Sequence, residues 1–456
     1  MAGLFGILSI ADQSIQAQQS GLDVTANNLA NVNSPGYTRQ VALLSEQAPF
    51  STSSGGGGGV TLDKIQSVRD NVLEIRLNQE TSNQNRLTSM QQQLGPVQTM
   101  FSDQSGAGLG TALDSFFNSL QQLTTNPTDG AQRQAVITAA QTLAQTFNQV
   151  SNGISQQVSG ADQEVVQSVS QVNTLTGQIA TLNGEIADTQ NAGQDTSELV
   201  DQRTNLVRNL SQLMDFNVSD GGDGQVTLTG SQGAPLVVGR TGAQLTTATT
   251  ATGVHDIFDG GVDITSSITG GSLAGMITVR DTTLPQLATQ LDALASGVSN
   301  AINTQNQAGF TTAGAAGGNL FTVPPAVGAA GQMALATNDP NAIAASSSAT
   351  AAGDNSNLLA MTGLQQQSII GGKTPDNAYA GLITTIGSVL NGVNTQQQAS
   401  SLVLTQLQSQ RDSVSGVSLD EESINLNQFQ SAYQAAARVV AVINTLTGEA
   451  INLGKD

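Results

Sequence analysis

The chain has 456 residues, enough for two to four domains with separate cores. It holds no Cys, no Trp and one His, with 3% aromatic and 11% charged residues, which excludes disulfides, cysteine nucleophiles and thiolate or multi-histidine zinc sites. A net charge of −20 excludes the basic surface that nucleic acid or an anionic membrane requires, and no apolar run approaches the ~18 residues of a membrane span.

Arg39 is the first basic residue, so the N-terminus lacks the positive region of a cleaved secretory signal; any route out of the cell is expected to dispense with one. The apolar content lies in Ala, Val, Leu and Ile, which suits long thin helical bundles better than one globule. From Leu8 to Val32 a stripe recurs at spacings of three and four: Leu8, Ala11, Ile15, Gln18, Leu22, Thr25, Leu29 and Val32. Such a narrow seam fits a partner helix. Asn33–Gly36 stops it, because Pro35 disfavours helix at Ser34 and Gly36 supports a turn. Gly55–Gly59 reads as a flexible joint.

A helix from about Val68 is expected to end at Leu94, before Gly95-Pro96. A second carries Leu113, Phe116, Phe117 and Leu120 and ends near Asn126-Pro127. From Ala131 to Ile186 the pattern is nearly continuous helix, with an irregular patch near Gly160. A further helix spans Ser197–Met214. The period then shortens to two: Gln225–Thr229 and Pro235–Gly239 predict paired strands, with Val254–Phe258 and Val262–Thr265 as further candidates. Helix resumes at Leu284 and runs to about Gln307. The Ala/Gly/Ser/Thr-rich stretch Gly309–Asn357 reads as extended loop, and helix returns from Tyr379 to Val414.

Ser418 and Glu421 have capping-box spacing, with Asp420 and Glu422 adding charge at the positive helix end. Beyond them Leu426, Phe429, Tyr433, Ala436, Val440, Ile443 and Ala450 form a second seam of the same kind. The expected fold is therefore mainly α with a β-rich insertion: an elongated multi-domain chain whose terminal helices pair as a coiled coil. The expected divisions are a terminal helical domain (1–55 plus 415–456), a long helical bundle (56–216 plus 271–414, with loop 309–357), and a small outer β domain (217–270).

Nothing in the pattern calls for catalysis, a metal or a cofactor. His255 would have to serve any Ser–His–Asp triad, but it lies beside Asp256 with no nucleophile-elbow pattern and reads as a surface histidine. Ser219–Gly224 lacks the ligands of a calcium loop and reads as a tight turn. Gly106–Gly110 lacks the Lys of a phosphate loop, and Glu185 with Asp188 reads as a solvated helix face. An apolar stripe is ordinarily core. Two at the extreme ends, flanked by joints, would leave bare apolar surface unless other chains covered it. The seam residues Leu8, Ile15, Leu22, Leu29, Val32, Leu426, Phe429, Tyr433, Ala436, Val440 and Ile443 are accordingly the expected assembly residues.

The run ANNLANVNSPGY at Ala26–Tyr37 resembles the N-terminal motif of flagellar rod, hook and hook-associated proteins, with Asn27, Asn28, Asn31, Pro35, Gly36 and Tyr37 as its motif positions. Thr38-Arg39-Gln40 points to the hook-associated branch. Phe116–Leu123, Asn126-Pro127, Arg133-Gln134, Gln178–Asn183, Leu199–Arg203, Gly270–Gly275 and Arg280-Asp281 resemble that branch's helical domain. Ser415–Glu422, Phe429-Gln430 and Tyr433–Arg438 resemble its C-terminal block, with Ser418, Asp420 and Glu421 as motif positions. Thr204, where the family usually has an acid, and the polar Thr445–Gly448 depart from the pattern, and the short insertion implies one outer domain.

The resemblance implies a structural subunit joining hook to filament, exported unfolded through the flagellar type III apparatus. It implies a ring of about eleven copies with the terminal helices inside. The implied partners are hook protein, the next hook-associated protein and a cytoplasmic export chaperone. Another axial protein is the nearest alternative, although flagellin lacks the Ala26–Tyr37 block. An adhesin using the β insertion would leave the paired ends unexplained.

Overall fold

The computed structural model describes residues 2–34, 36–47, 58–102, 106 and 108–453. Pro35 and Gly55–Gly57 of the expected joint lie outside the described residues. Helix dominates, as a composition rich in Ala, Leu and Gln favours. The helices are α1 (Ala2–Ala30), α2 (Asn71–Met100), α3 (Leu109–Leu123), α4 (Gly130–Asn191), α5 (Ser197–Leu213), α6 (Gly271–Thr278), α7 (Leu284–Gln307), α8 (Ser356–Gly363), α9 (Pro375–Ser415) and α10 (Leu419–Leu453). At 1.5 Å per residue the 62 residues of α4 run about 93 Å.

Several expected boundaries move. Helix α2 passes through Gly95-Pro96 to Met100, because Leu94 and Val97 on either side are fully buried and their burial outweighs the roughly 3 kcal/mol a proline costs inside a helix. Helix α4 is unbroken at Gly160, where Ala161 and Val165 are likewise fully buried. Helix after the β-rich stretch starts at Gly271, not Leu284, and reaches α7 through a π-helical turn, Val279–Thr283. Gly275 explains the close approach there: a Cβ on it would lie 2.5 Å from the Arg86 carbonyl oxygen on α2.

Two compact units form. One comprises Met1–Ser82, Gln171–Leu245 and Ser400–Asp456, the other Asn83–Ser170 and Thr246–Ala399. In the first, α1 lies along α10, and a hairpin of β1 (Gln40–Glu46) and β2 (Val60–Ser67) packs on α1. This hairpin had no sequence signal as a pair, because a register shift between Leu43 and Leu44 breaks the alternation of β1. The same unit holds the sheet β3 (Asn217–Gly222), β4 (Gln225–Thr229), β5 (Pro235–Val238) and β6 (Thr241–Gly242), in that order and antiparallel. The β3–β4 turn is Asp223-Gly224, both at positive φ, 49° and 71°, as a two-residue type I′ hairpin demands. Asn183 of α4 clamps this sheet by donating to the Val226 and Gly239 carbonyls and accepting from Val226 N–H and Arg203.

The second unit has the larger apolar core, where Phe116 meets Phe117 and Phe321 edge-on at centroid distances of 5.4 and 5.7 Å. The loop between α7 and α8 is ordered by side-chain amides. Buried Asn303 bonds Leu320 N, Phe321 N and Phe321 O; buried Asn306 bonds Gly318 O, Ala342 O and Ala344 N. Arg133, also buried, donates to the carbonyls of Pro127, Pro340 and Ile343. The remaining strands, β7 (Thr246–Thr249), β8 (His255–Asp259) and β9 (Val262–Asp263), form their own sheet in this unit, so the β-rich stretch supplies two sheets. His255 is no free surface residue. Its Nδ1 lies 2.7 Å from Asp162 Oδ2, while fully buried Arg280 donates to Asp162 Oδ1 at 2.8 Å and to the His255 carbonyl. Burial raises the Asp162 carboxyl, but the His255 and Arg280 contacts overcome it and hold the pKa below the usual carboxylate value.

Candidate functional site

The seam between α1 and α10 is built around a gap in one helix filled by a ring from the other. A Cβ on Gly21 would lie 2.6 Å from the Phe429 ring, so glycine is what lets the helices close here. Around it Ala11, Ala17, Val24, Thr25, Ala436 and Ile443 are buried, and Leu8, Ile15, Leu22, Val32, Leu426, Phe429 and Val440 are half-buried. Leu29 and Tyr433 remain exposed. Each fully buried Val or Ile contributes about 2 kcal/mol.

A second stripe on α10 has no partner. Ile424, Ala435, Val439, Val442 and Leu446 lie about 100° round the helix from Ala436 and Ile443, and all are exposed, Ile424 to 66% and Val442 to 58%. On α1, Phe5 (59%) and Ile7 are exposed too. Spacings of four, three and four between Ala435 and Leu446 carried this stripe in the sequence. A search for one seam stops at the first, whereas the width of the apolar arc reveals both.

The motif after α1 folds back on itself. Buried Asn28 donates to the Gln40 carbonyl at 2.8 Å and accepts from Tyr37 Oη and Gln40 N–H, both at 2.9 Å. Burial, together with the Glu422 and Asp195 charges, raises Tyr37 to about 12 and keeps its hydroxyl a donor. Asn31 donates to the Asn27 carbonyl and accepts from Ser34 Oγ. Gly36 is required twice over, by φ +82° and because a Cβ would lie 2.3 Å from Asn205 Oδ1. Asn27 is solvent-facing.

Distant segments lock onto this turn. Arg39 donates Nε to Glu422 at 2.9 Å and Nη1 to Glu421 at 2.7 Å, and its N–H bonds the Ser415 carbonyl. Glu422 is nearly fully buried, so loss of Arg39 would cost about 3–5 kcal/mol. The expected capping box is therefore only half formed. Ser418 Oγ accepts from Glu421 N–H at 3.4 Å, but the Glu421 carboxylate turns to Arg39. The connection between α9 and α10 is equally tight, with Gly416 N–H on the Asp412 carbonyl and Ser415 buried. Arg69 pairs with Asp201 and donates to Thr204 Oγ1 at 2.6 Å, while Asp201 accepts from Thr38 N–H. Thr204, the odd residue of its block, thus serves as an acceptor. Arg208 and Arg411 share Glu74.

Among the described residues no cluster of His, Asp and Glu could hold a metal, and no helix is long and apolar enough to cross a membrane. Asp188 accepts from Arg240, and Glu185 is exposed.

Residues 94–321 match the family described as "Flagellar hook-associated protein FlgK helical domain". Residues 11–38 match "Flagella basal body rod protein", and residues 408–453 match "Flagellar basal body rod FlgEFG protein C-terminal". Flagellar hook-associated protein 1 of Bacillus subtilis is 29% identical, covering 99% of both chains. That of Escherichia coli is 28% identical over 98% of this chain and 99% of its own. The flagellar hook junction protein FlgK of Burkholderia pseudomallei has the same fold, with a TM-score of 0.67 at 20% identity over 75% of this chain and all of its own. With its helical domain matched over half of its length and relatives of one name aligned end to end, the chain belongs to the flagellar hook-associated protein FlgK family.

Proposed function

We infer that the chain is a structural subunit of the bacterial flagellum, not an enzyme, and that it joins hook to filament. The observation that carries the mechanism is the second stripe of α10. Pairing with α1 satisfies one seam and leaves Ile424, Ala435, Val439, Val442 and Leu446 bare, an arrangement that water disfavours and a neighbouring subunit relieves. In this reading Ala436 and Ile443 hold the chain's own termini together, and Val439 and Val442 hold the next copy. Copies would close into a ring of about eleven, since a head-to-tail contact that returns on itself makes a ring. Hook protein would lie below and the next hook-associated protein above. The subunit would reach this extracellular position as an exported chain escorted by a cytoplasmic chaperone.

The test is deletion of the gene followed by electron microscopy, with complementation by the chain and by V442D. Hooks without filaments, flagellin shed into the medium, and rescue by the chain but not by V442D are the expected results. Normal filaments in the deletion strain would refute the junction role.

A further inference from the structure

One cavity of the unit that holds the termini is not used by any contact described above. It has a volume of about 400 Å³ and lies between α2, α5 and the β3–β4 hairpin, with walls that are mostly apolar, including Ile75, Val207 and Val226. Three polar groups break that lining. Asn78 is only 8% exposed, yet its Oδ1 has no hydrogen-bond partner. Arg69 Nε is also buried without one. Arg203 is buried and donates only to neutral acceptors, Asn183 Oδ1 at 2.9 Å and the Gly224 carbonyl at 2.7 Å. Burial pulls both guanidinium groups down to about 10, far above neutral pH, so both stay charged.

Arg69 has Asp201, but among the described residues Arg203 has no carboxylate within ion-pair distance. An apolar cavity with a missing donor, a missing acceptor and an unpaired cation fits an occupant that carries all three complements on an aliphatic body. Such a group stands exposed elsewhere in the same unit. At the start of α10, Leu419 is half-exposed, and Asp420 is exposed and makes no hydrogen bond or ion pair among the described residues. The backbone N–H groups of a first helical turn have no partner within their helix. Leucine side chain, carboxylate and free N–H therefore come from adjacent positions.

We propose that this cavity is a socket for a second copy of the chain, taking the Leu419-Asp420 corner of its neighbour. Leu419 would lie on the valines, the Asp420 carboxylate would meet Arg203 and Arg69, and an N–H of the α10 start would reach Asn78 Oδ1. Charge favours this occupant: the chain carries 34 acidic residues against 14 basic ones, so a buried unpaired arginine is matched by what any neighbouring copy has in surplus. A socket and a plug on different faces make the contact head-to-tail, the kind that closes rings. The proposal rests on the assembly role inferred above and adds its copy-to-copy contact.

The absence of native cysteine makes a clean test. Cells would co-express two chains, one with Ser219→Cys at the socket rim and one with Asp420→Cys, so that a disulfide between these sites can only join two copies. Oxidised hook–filament preparations should then yield a covalent dimer that neither single variant gives. Preparations that contain both chains without that dimer would overturn the socket. Absence of the chain from hook–filament preparations would instead overturn the junction role. A second variant, Asn78→Leu, should raise the melting temperature of the isolated chain yet cut the number of filaments per cell at least tenfold. Filament numbers equal to those of the unaltered chain would also count against the socket.

Discussion

At the scale of single residues, buried side-chain amides do work that the apolar residues of this chain are too few to do. Asn306 is fully buried and closes two carbonyls and one N–H of the α7–α8 loop. Asn306→Ala orphans all three and should cost roughly 3 kcal/mol in urea unfolding. Asn306→Asp should cost more, because a carboxylate cannot donate and would face two carbonyl oxygens. A smaller loss for Asp than for Ala would show that the amide's donors are not what holds the loop. Tyr37 makes a pH-dependent contribution with a definite sign. Its phenol ionises near 10 when unfolded and at about 12 in the fold, so the unfolded chain gives up its proton first. The contribution is fully present below pH 10 and is lost as pH rises from 10 to 12. Tyr37→Phe should flatten that limb of the stability curve.

At the scale of elements, the pairing of α1 with α10 turns on one glycine. Gly→Ala in a helix ordinarily stabilises by about 1 kcal/mol. At Gly6, with nothing within 4 Å of an added Cβ, Ala should do so; at Gly21, where the Phe429 ring would lie 2.6 Å away, it should destabilise. Thermal unfolding of the two variants should therefore shift in opposite directions, and parallel shifts would contradict the Gly21–Phe429 contact. Periodicity made both terminal helices legible, as well as α3, α5 and the β4–β5 pair. It missed β1, whose alternation a bulge interrupts, and it broke α2 at Pro96 because proline's local cost is visible in sequence while the burial of Leu94 and Val97 is not. The motif at Ala26–Tyr37 could be read, but its locks could not. Asp201 and Glu422 stand 163 and 383 residues from the groups they bind, and no local pattern encodes such pairs. His255 was likewise taken as isolated, because Asp162 and Arg280 meet it only in the fold.

At the scale of the whole molecule, the charge of −20 sets a problem for any assembly of copies. Like-charged subunits repel at long range, while apolar stripes and a buried carboxylate–arginine contact attract only on touching. Salt separates the two. Screening length falls from about 30 Å at 0.01 M to about 8 Å at 0.15 M, which removes repulsion before contact and barely reaches a buried pair. Copies adding to isolated hooks should accordingly add faster as NaCl is raised over that range at pH 7, by about tenfold or more, with little change in how fast they leave. Sedimentation of hook-bound chain against time would measure both rates. An on-rate that falls with salt would mean that opposed charges steer the encounter, and the apolar stripe of α10 would then have to yield its leading part to an electrostatic contact.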